Sequence, residues 1–207
     1  VRLYDNPRSS NALKVRFLLA ELGLEYERVE IPMASPRPDW YLALNPVGRI
    51  PALEDGDLLL SESQAILRYL ADREAAEELY PRDPRERAPV DEFLDRFAQT
   101  LRPALFRVEA AALGYTPGVG FVPETGDPEA ARRIGEEIAE TLALFDRLVA
   151  PGGGYALGRF TIADCAAAPA LFRSIRSGLD LGPHPALGRW RETLVARPAF
   201  ARAEPVL

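Results

Sequence analysis

A chain of 207 residues with 25 Lys and Arg against 31 Asp and Glu carries a formal net charge of −6. No long block of either sign is present, which argues against nucleic acid as a main partner, because phosphate binding demands a clustered basic surface. Apolar residues make up 47% and charged residues 27%, an ordinary globular balance; no run approaches the roughly 20 apolar residues that cross a bilayer, and no basic-then-apolar leader opens the chain, so a cytoplasmic protein without a membrane partner is expected. One cysteine (Cys165) and one histidine (His184) argue against an intramolecular disulfide, a two-cysteine redox pair and a structural zinc site. No metal is expected, and sulfur chemistry would have to come from a bound thiol.

In chain order, apolar alternation at Val1 and Leu3 predicts a strand ending at Tyr4. Asp5 to Arg8 is a loop. Ser9 and Ser10 suit the cap of a helix marked by Val15, Leu18, Leu19 and Leu22, with Gly23 placed for a left-handed end. Tyr26 to Ile31 alternates as a second strand, parallel to the first if both share a sheet. The proline-rich stretch 32–48 holds a short helical piece near Trp40 to Leu44. Pro51 to Glu54 and Leu58 to Leu60 read as a hairpin across Asp55-Gly56-Asp57. Ser61 and Gln64 have capping-box spacing and open a helix through Ala65, Ile66, Tyr69 and Leu70.

Leu79-Tyr80-Pro81-Arg82-Asp83-Pro84 sets two prolines within four positions, which prevents a continuous helix. The boundary falls there: one domain over 1–76, a linker over 77–86 and an all-helical domain over 87–207. No strand is expected beyond the linker. Phe93, Leu94, Phe97, Leu101, Leu105 and Val108 form a helical stripe interrupted by Pro103, and Gly114 to Pro128 reads as a long loop. Asp127-Pro128 opens a helix with Ile134, Ile138, Leu142, Phe145 and Val149 on one face, closed by Gly152-Gly153-Gly154. Thr161 to Asp164 opens another helix, and a last short one runs from Leu187 to Val195.

Three stretches carry residue types suited to chemistry. In the first, Asn45 to Leu53, Pro51 starts a strand and removes a ladder donor, which leaves the N–H and C=O of Ile50 open to a ligand. The ordinary preference of such bonds makes Ile50–Pro51 trans, and an edge-strand proline also accounts for it. In the second, Ser61 to Gln64, the start of a helix offers free N–H groups and a positive dipole end to an anion. Ser63 can serve a carboxylate with hydroxyl and amide, while Glu62 can pair with an adjacent ammonium. An α-amino-acid head group supplies both charges; plain compensation of the helix dipole by Glu62 is the alternative. In the third, Ser9-Ser10-Asn11, a hydroxyl at a helix N-terminus can donate to a thiolate while the dipole lowers the thiol pKa. Simple capping fits these residues equally well.

Taken together, Asn-Pro-x-Gly-x-Ile-Pro-x-Leu over 45–53, the acidic turn, and Glu-Ser-x-Ala-Ile-x-x-Tyr-Leu over 62–70 resemble the glutathione transferase superfamily. Lys14-Val15-Arg16, Leu22-Gly23, Tyr26-Glu27, Leu79-Tyr80-Pro81 and Thr161-Ile162-Ala163-Asp164 extend the resemblance over nearly the whole chain. It implies an α/β thioredoxin-like N-terminal domain and an all-α C-terminal domain. It also implies glutathione as co-substrate, a small electrophilic substrate and a homodimer. Ile50, preceding a cis-proline at Pro51 and flanked by Arg49, would pair through its backbone with the cysteinyl part of glutathione, and Glu62 and Ser63 would hold the γ-glutamyl head.

Tyr4 lies inside the first strand, so no tyrosine stands at the matching loop position and the chain looks like the serine-type branch. Counting back from Lys14, Ser9 matches the catalytic serine of zeta-like members, Ser10 that of theta-like members and Asn11 the asparagine of bacterial nu-like members. Ser9 is preferred, acting by a hydrogen bond to the glutathione sulfur and not as a covalent nucleophile. The electrophile pocket would lie between the domains, walled by Phe97, Arg102, Phe106 and Tyr115; on residue type alone the aromatics read as helix core and Arg102 as solvent-facing. The expected activity is addition of the glutathione thiolate to an electrophile. A glutathione-dependent isomerase or disulfide reductase of the same fold, or a non-catalytic interaction module, are the rivals. The Thr161–Asp164 box is assigned to folding, Cys165 to the core and His184 to a loop without a catalytic role.

Overall fold

Alternation over four short strands sets up one sheet. The computed structural model describes residues 1–117 and 119–204; Gly118 of the expected loop and residues 205–207 lie outside it. Strands β1 (Arg2–Asp5), β2 (Glu27–Glu30), β3 (Ala52–Asp55) and β4 (Leu58–Leu60) lie in the order β2-β1-β3-β4. β1 runs parallel to β2, with Arg2 opposite Glu27, and antiparallel to β3, with Leu3 opposite Leu53. A parallel pair needs a crossover, supplied by α1 (Ser10–Glu21). The β3–β4 hairpin turns through Gly56 at φ +61°, a left-handed value that glycine adopts without steric cost. Side chains alternate across the sheet: Leu3 and Leu53 enter the main core with α1 and α3 (Ser63–Arg73). Tyr4 and Ala52 face a smaller core with Ile31, Tyr41 and Ile50, roofed by α2 (Asp39–Leu44).

The helical half comprises α4 (Pro84–Arg96), α5 (Arg102–Leu113), α6 (Pro128–Glu137), α7 (Ala139–Val149), α8 (Ile162–Arg176), α9 (Pro185–Val195) and α10 (Pro198–Ala203). Every residue of α1 from Ala12 to Leu19 is buried, because α8 and α10 press on it from the side away from the sheet. This burial on all sides includes Lys14 and Arg16, and it joins the two halves into one core.

Four features depart from the sequence expectation. Pro103 does not interrupt the stripe: a π-helical turn, Phe97–Leu101, carries α4 into α5, with the N–H of Arg102 bonded to the carbonyl of Phe97, five residues back. A proline ring crowds the carbonyl four residues before it, and the wider turn makes the room. The expected loop contains two strands, β5 (Tyr115–Thr116) and β6 (Gly120–Phe121), too short to show alternation. The helix after Pro128 is split at Ile138 into α6 and α7, although Ile138, Leu142, Phe145 and Val149 do form one buried face; Gly135, worth about 1 kcal/mol less than alanine in a helix, weakens the last turn of α6. The six-residue α10 has no periodicity to announce it. Among the described residues no helix is long and apolar enough to cross a membrane.

Candidate active site

The loop between β1 and α1 is fastened by buried arginines. Arg16 Nη1 pairs with Asp5 Oδ1 at 2.6 Å, and Arg16 donates to the carbonyls of Asn6 and Pro7, each at 3.4 Å. Arg173, from α8, donates to the next carbonyl, that of Arg8, at 2.5 Å. Arg28 holds the other Asp5 oxygen at 2.7 Å, and Asn6 Nδ2 donates to the Ile31 carbonyl at 2.8 Å. Sequence reasoning missed these fasteners. Their only mark is a charged residue set within apolar helical stretches.

The fastened loop delivers Ser9 as the N-cap of α1. Its Oγ accepts from the Ala12 N–H at 3.2 Å and donates to the Ile50 carbonyl at 3.4 Å. Ser10, the first helical residue, is buried, and its Oγ accepts from Arg102 Nη2 at 2.9 Å. Asn11 follows, half-buried. Three hydroxyl or amide side chains thus gather at one positive helix end, the arrangement that stabilises a thiolate. Tyr4, in β1, spends its hydroxyl on Glu54 Oε2 at 2.5 Å.

The stretch from Asn45 to Leu53 folds around Asn45. Its Nδ2 donates to the Arg49 carbonyl at 2.9 Å, which also takes the Tyr41 hydroxyl at 2.6 Å. Gly48 turns at φ +65°, with Leu42 close to where a side chain would begin. The Arg49 side chain is exposed, while Ile50 is buried. The Ile50–Pro51 bond is cis, against the ordinary preference and in agreement with the resemblance. The Ile50 carbonyl is not free, as expected from the lost ladder donor, because the Ser9 hydroxyl meets it.

At the Ser61–Gln64 stretch the capping box does not form. The N-cap of α3 is Glu62, one residue later than the Ser61–Gln64 spacing predicts, and no side chain caps the end. The physical reason lies in Gln64, whose Nε2 crosses to the Leu94 carbonyl of α4 at 3.1 Å. Glu62 is exposed and Ser63, the first helical residue, is buried. The N–H groups of the first turn are therefore left to an anion. Lys14, whose charge interacts with that of Glu62 at this end, is buried, with Nζ 5.8 Å from the centre of the Phe97 ring. Burial, with help from the Arg102 charge and against that of Glu62, lowers its pKa to about 7.

Of the four expected pocket walls, Phe97 is a correction. It is fully buried in the main core, on the inner side of the π turn, and cannot touch a substrate. Arg102 is half-buried and faces Ser10 instead of solvent. Its guanidinium lies 5.0 Å from the Phe106 ring centre; Phe106 meets Tyr115 edge-on at 5.0 Å, and Tyr115 meets Phe121 at 5.3 Å. Phe106 and Tyr115 are both partly exposed.

Outside the site, the Thr161–Asp164 capping box is present. Asp164 also accepts from the Ala156 N–H at 2.9 Å and from Trp190 Nε1 at 2.7 Å. Burial outweighs these donors and raises its pKa to about 6. Cys165 is fully buried, and burial pushes its thiol well above the ordinary range, which leaves it inert. His184 stands as the N-cap residue of α9, without a side-chain cap bond. Among the described residues no three His, Cys, Asp or Glu side chains gather as a metal site requires.

Comparison with known proteins places these stretches in context. The glutathione S-transferase N-terminal domain family matches residues 1–72, and the glutathione S-transferase C-terminal domain family matches residues 128–193. Glutathione S-transferase 3 of Zea mays is 34% identical, over 98% of this chain and 92% of its own length. Glutathione S-transferase GstB of Escherichia coli strain K12 is also 34% identical, over 98% and 96%. Among solved structures, a glutathione transferase homologue from Lodderomyces elongisporus, described with two glutathione molecules per subunit, superposes with a TM-score of 0.80 at 27% identity, over 98% of this chain and 96% of that one.

Proposed function

The chain belongs to the glutathione S-transferase family, and on that premise we propose that it binds glutathione and adds the thiolate to a small electrophile. In this reading the open end of α3 receives the γ-glutamyl head: Ser63 and the first-turn N–H groups take the carboxylate, and Glu62 takes the ammonium. The backbone of Ile50, with Arg49 and Pro51 on either side, receives the cysteinyl part. The Ser9 hydroxyl donates to the sulfur and favours the thiolate, with Ser10 and Asn11 beside it. Residues 1–76 are then the glutathione-binding unit, 77–86 the linker, and the helical remainder carries the electrophile wall of Arg102, Phe106 and Tyr115. The protein acts in the cytoplasm as a homodimer, and sedimentation of the purified chain tests the oligomeric state.

One observation carries the reading: the Ser9 hydroxyl stands 3.4 Å from the Ile50 carbonyl. Two stretches forty-one residues apart, one suited to a thiolate and the other to a peptide backbone, therefore share a single binding span. A rotation of the hydroxyl redirects its hydrogen bond from the Ile50 carbonyl to an incoming thiolate sulfur, the O–H bond staying intact.

Titration calorimetry with glutathione is the first test, and absence of binding at millimolar concentration overturns the proposal. Ser9→Ala should lower kcat/KM for conjugation by roughly 10- to 100-fold, the worth of a hydrogen bond to a charged group. It should also raise the pKa of bound glutathione by about one unit or more, read from thiolate absorbance against pH. Ser10→Ala should do less; the reverse ranking would transfer the role to Ser10.

A further inference from the structure

Beside the Ser9 loop lies a cavity of about 310 Å3, walled by Arg8, Glu109, Leu113, Phe121, Arg173 and Arg176 together with Pro123. That volume is at the small end for a ligand pocket. Three guanidinium groups and one carboxylate face it, in a chain whose formal charge is −6. Arg173 and Glu109 are buried and neutralise one another at 2.8 Å. Arg8 and Arg176 are exposed, and among the described residues neither has a carboxylate within the 4.0 Å of an ion pair. Glu204, whose pKa burial raises, also feels the charges of Arg173 and Arg176; with it counted, three guanidinium groups still stand against two carboxylates. The excess positive charge therefore points into a space whose remaining walls, Leu113, Phe121 and Pro123, are apolar.

Side-chain contacts link the walls of the cavity to the candidate site. The Arg173 guanidinium lies 5.9 Å from the Phe121 ring centre and binds the carbonyl of Arg8, the residue before Ser9. In the other direction the edge-on rings of Phe121, Tyr115 and Phe106 lead to Arg102 and so to Ser10. A ligand seated against Phe121 would lie beside the arginines, at one end of this chain of ring contacts.

We propose that this cavity takes a small organic acid, its carboxylate held by Arg8 and Arg176 and its hydrocarbon or aromatic body lying on Leu113 and Phe121. That the acid is the electrophile rests on the function proposed above; the grip on its carboxylate does not.

The test uses the full-length chain and two probes of one shape, cinnamate and the uncharged cinnamamide, titrated by calorimetry at low salt without glutathione. Cinnamate should bind about tenfold more tightly, the contribution of two partly exposed charge pairs, and added salt should erode the preference. Arg176→Gln should reduce the preference, and Arg8→Gln with Arg176→Gln should abolish it; both side chains are exposed, so an unchanged Tm checks the fold. Equal affinities for the two probes, or a preference that survives the double variant, overturn the proposal. Glutathione titrated into the same samples separates the two readings. If glutathione binds and cinnamate shows no preference, the acid site falls alone; if the cinnamate preference holds and glutathione does not bind, the acid site stands and the transferase function falls.

Discussion

The N-termini of α3 and α8 begin with the same spacing of a hydroxyl residue and a carboxyl or amide residue, and they end up in opposite states. At α8, Thr161 Oγ1 accepts from the Ala163 N–H at 3.3 Å and Asp164 Oδ2 accepts from the Thr161 N–H at 2.9 Å; both residues are fully buried. At α3 no side chain returns to the backbone, Gln64 is drawn away to Leu94, and Glu62 is turned to solvent. A closed helix end holds the fold and has nothing left to offer a ligand. An open end gives up that stabilisation and retains the donors and the dipole that recognise an anion.

The contrast can be broken most forcefully at α8. Asp164→Ala leaves the Trp190 indole N–H and the N–H groups of Ala156 and Thr161 without their partner, so urea unfolding should show a loss of about 3–5 kcal/mol. A loss below about 1 kcal/mol would mean that the closed end is not what holds the helix. Next comes Lys14, the buried amine whose charge interacts with Glu62 at the open end. Its pKa is about 7 in the fold against 10.5 for a free lysine side chain. Between those values the unfolded chain binds a proton that the folded chain does not, so this group makes stability rise with pH from about 7 to about 10.5. Lys14→Met should remove on the order of 2 kcal/mol of that rise between pH 7 and pH 9, measured as the difference between variant and parent denaturation curves.

Ser63→Ala should weaken glutathione binding by roughly tenfold while Tm stays close to the parent value; a large fall in Tm with affinity unchanged would recast α3 as a closed end. The smallest effect sharpens the comparison most. Ser61→Ala should change stability by less than about 0.5 kcal/mol, because Ser61 caps nothing, whereas Thr161→Ala should cost about 1 kcal/mol. Equal losses would show that both boxes are closed in solution.

What could be read from the sequence followed from how local each determinant is. The β3–β4 hairpin was legible because its Asp-Gly turn acts over four residues, and the Thr161 box because its donors and acceptors are three apart. The open helix end at Glu62 and Ser63, where the head group is proposed to bind, was only half legible, since the sequence placed a cap at Ser61 that does not form. Gln64 could not be read correctly because its partner, Leu94, lies thirty residues away. Phe97, expected beside Arg102 on the pocket wall, is buried in the core instead, because the phase of the helix changes at the π turn between them. The clamp of Arg16 and Arg173 on three consecutive carbonyls was invisible, since it requires α1 and α8 to be packed together first.

The π turn between α4 and α5 has a consequence for how this chain can vary in length. An α-helix advances about 100° per residue, and a π turn arises when one residue more is accommodated than the α pitch allows. Deleting Thr100 would let the helix close with ordinary four-residue bonds and would swing everything after it by about 100°, carrying Arg102 away from Ser10 and Phe106 away from Tyr115. No substitution of a single side chain would do this, and none would repair it. A deletion within 97–101 is therefore expected to disarm the wall completely, and an insertion that restores the count should restore the wall whichever residue is inserted, proline excepted.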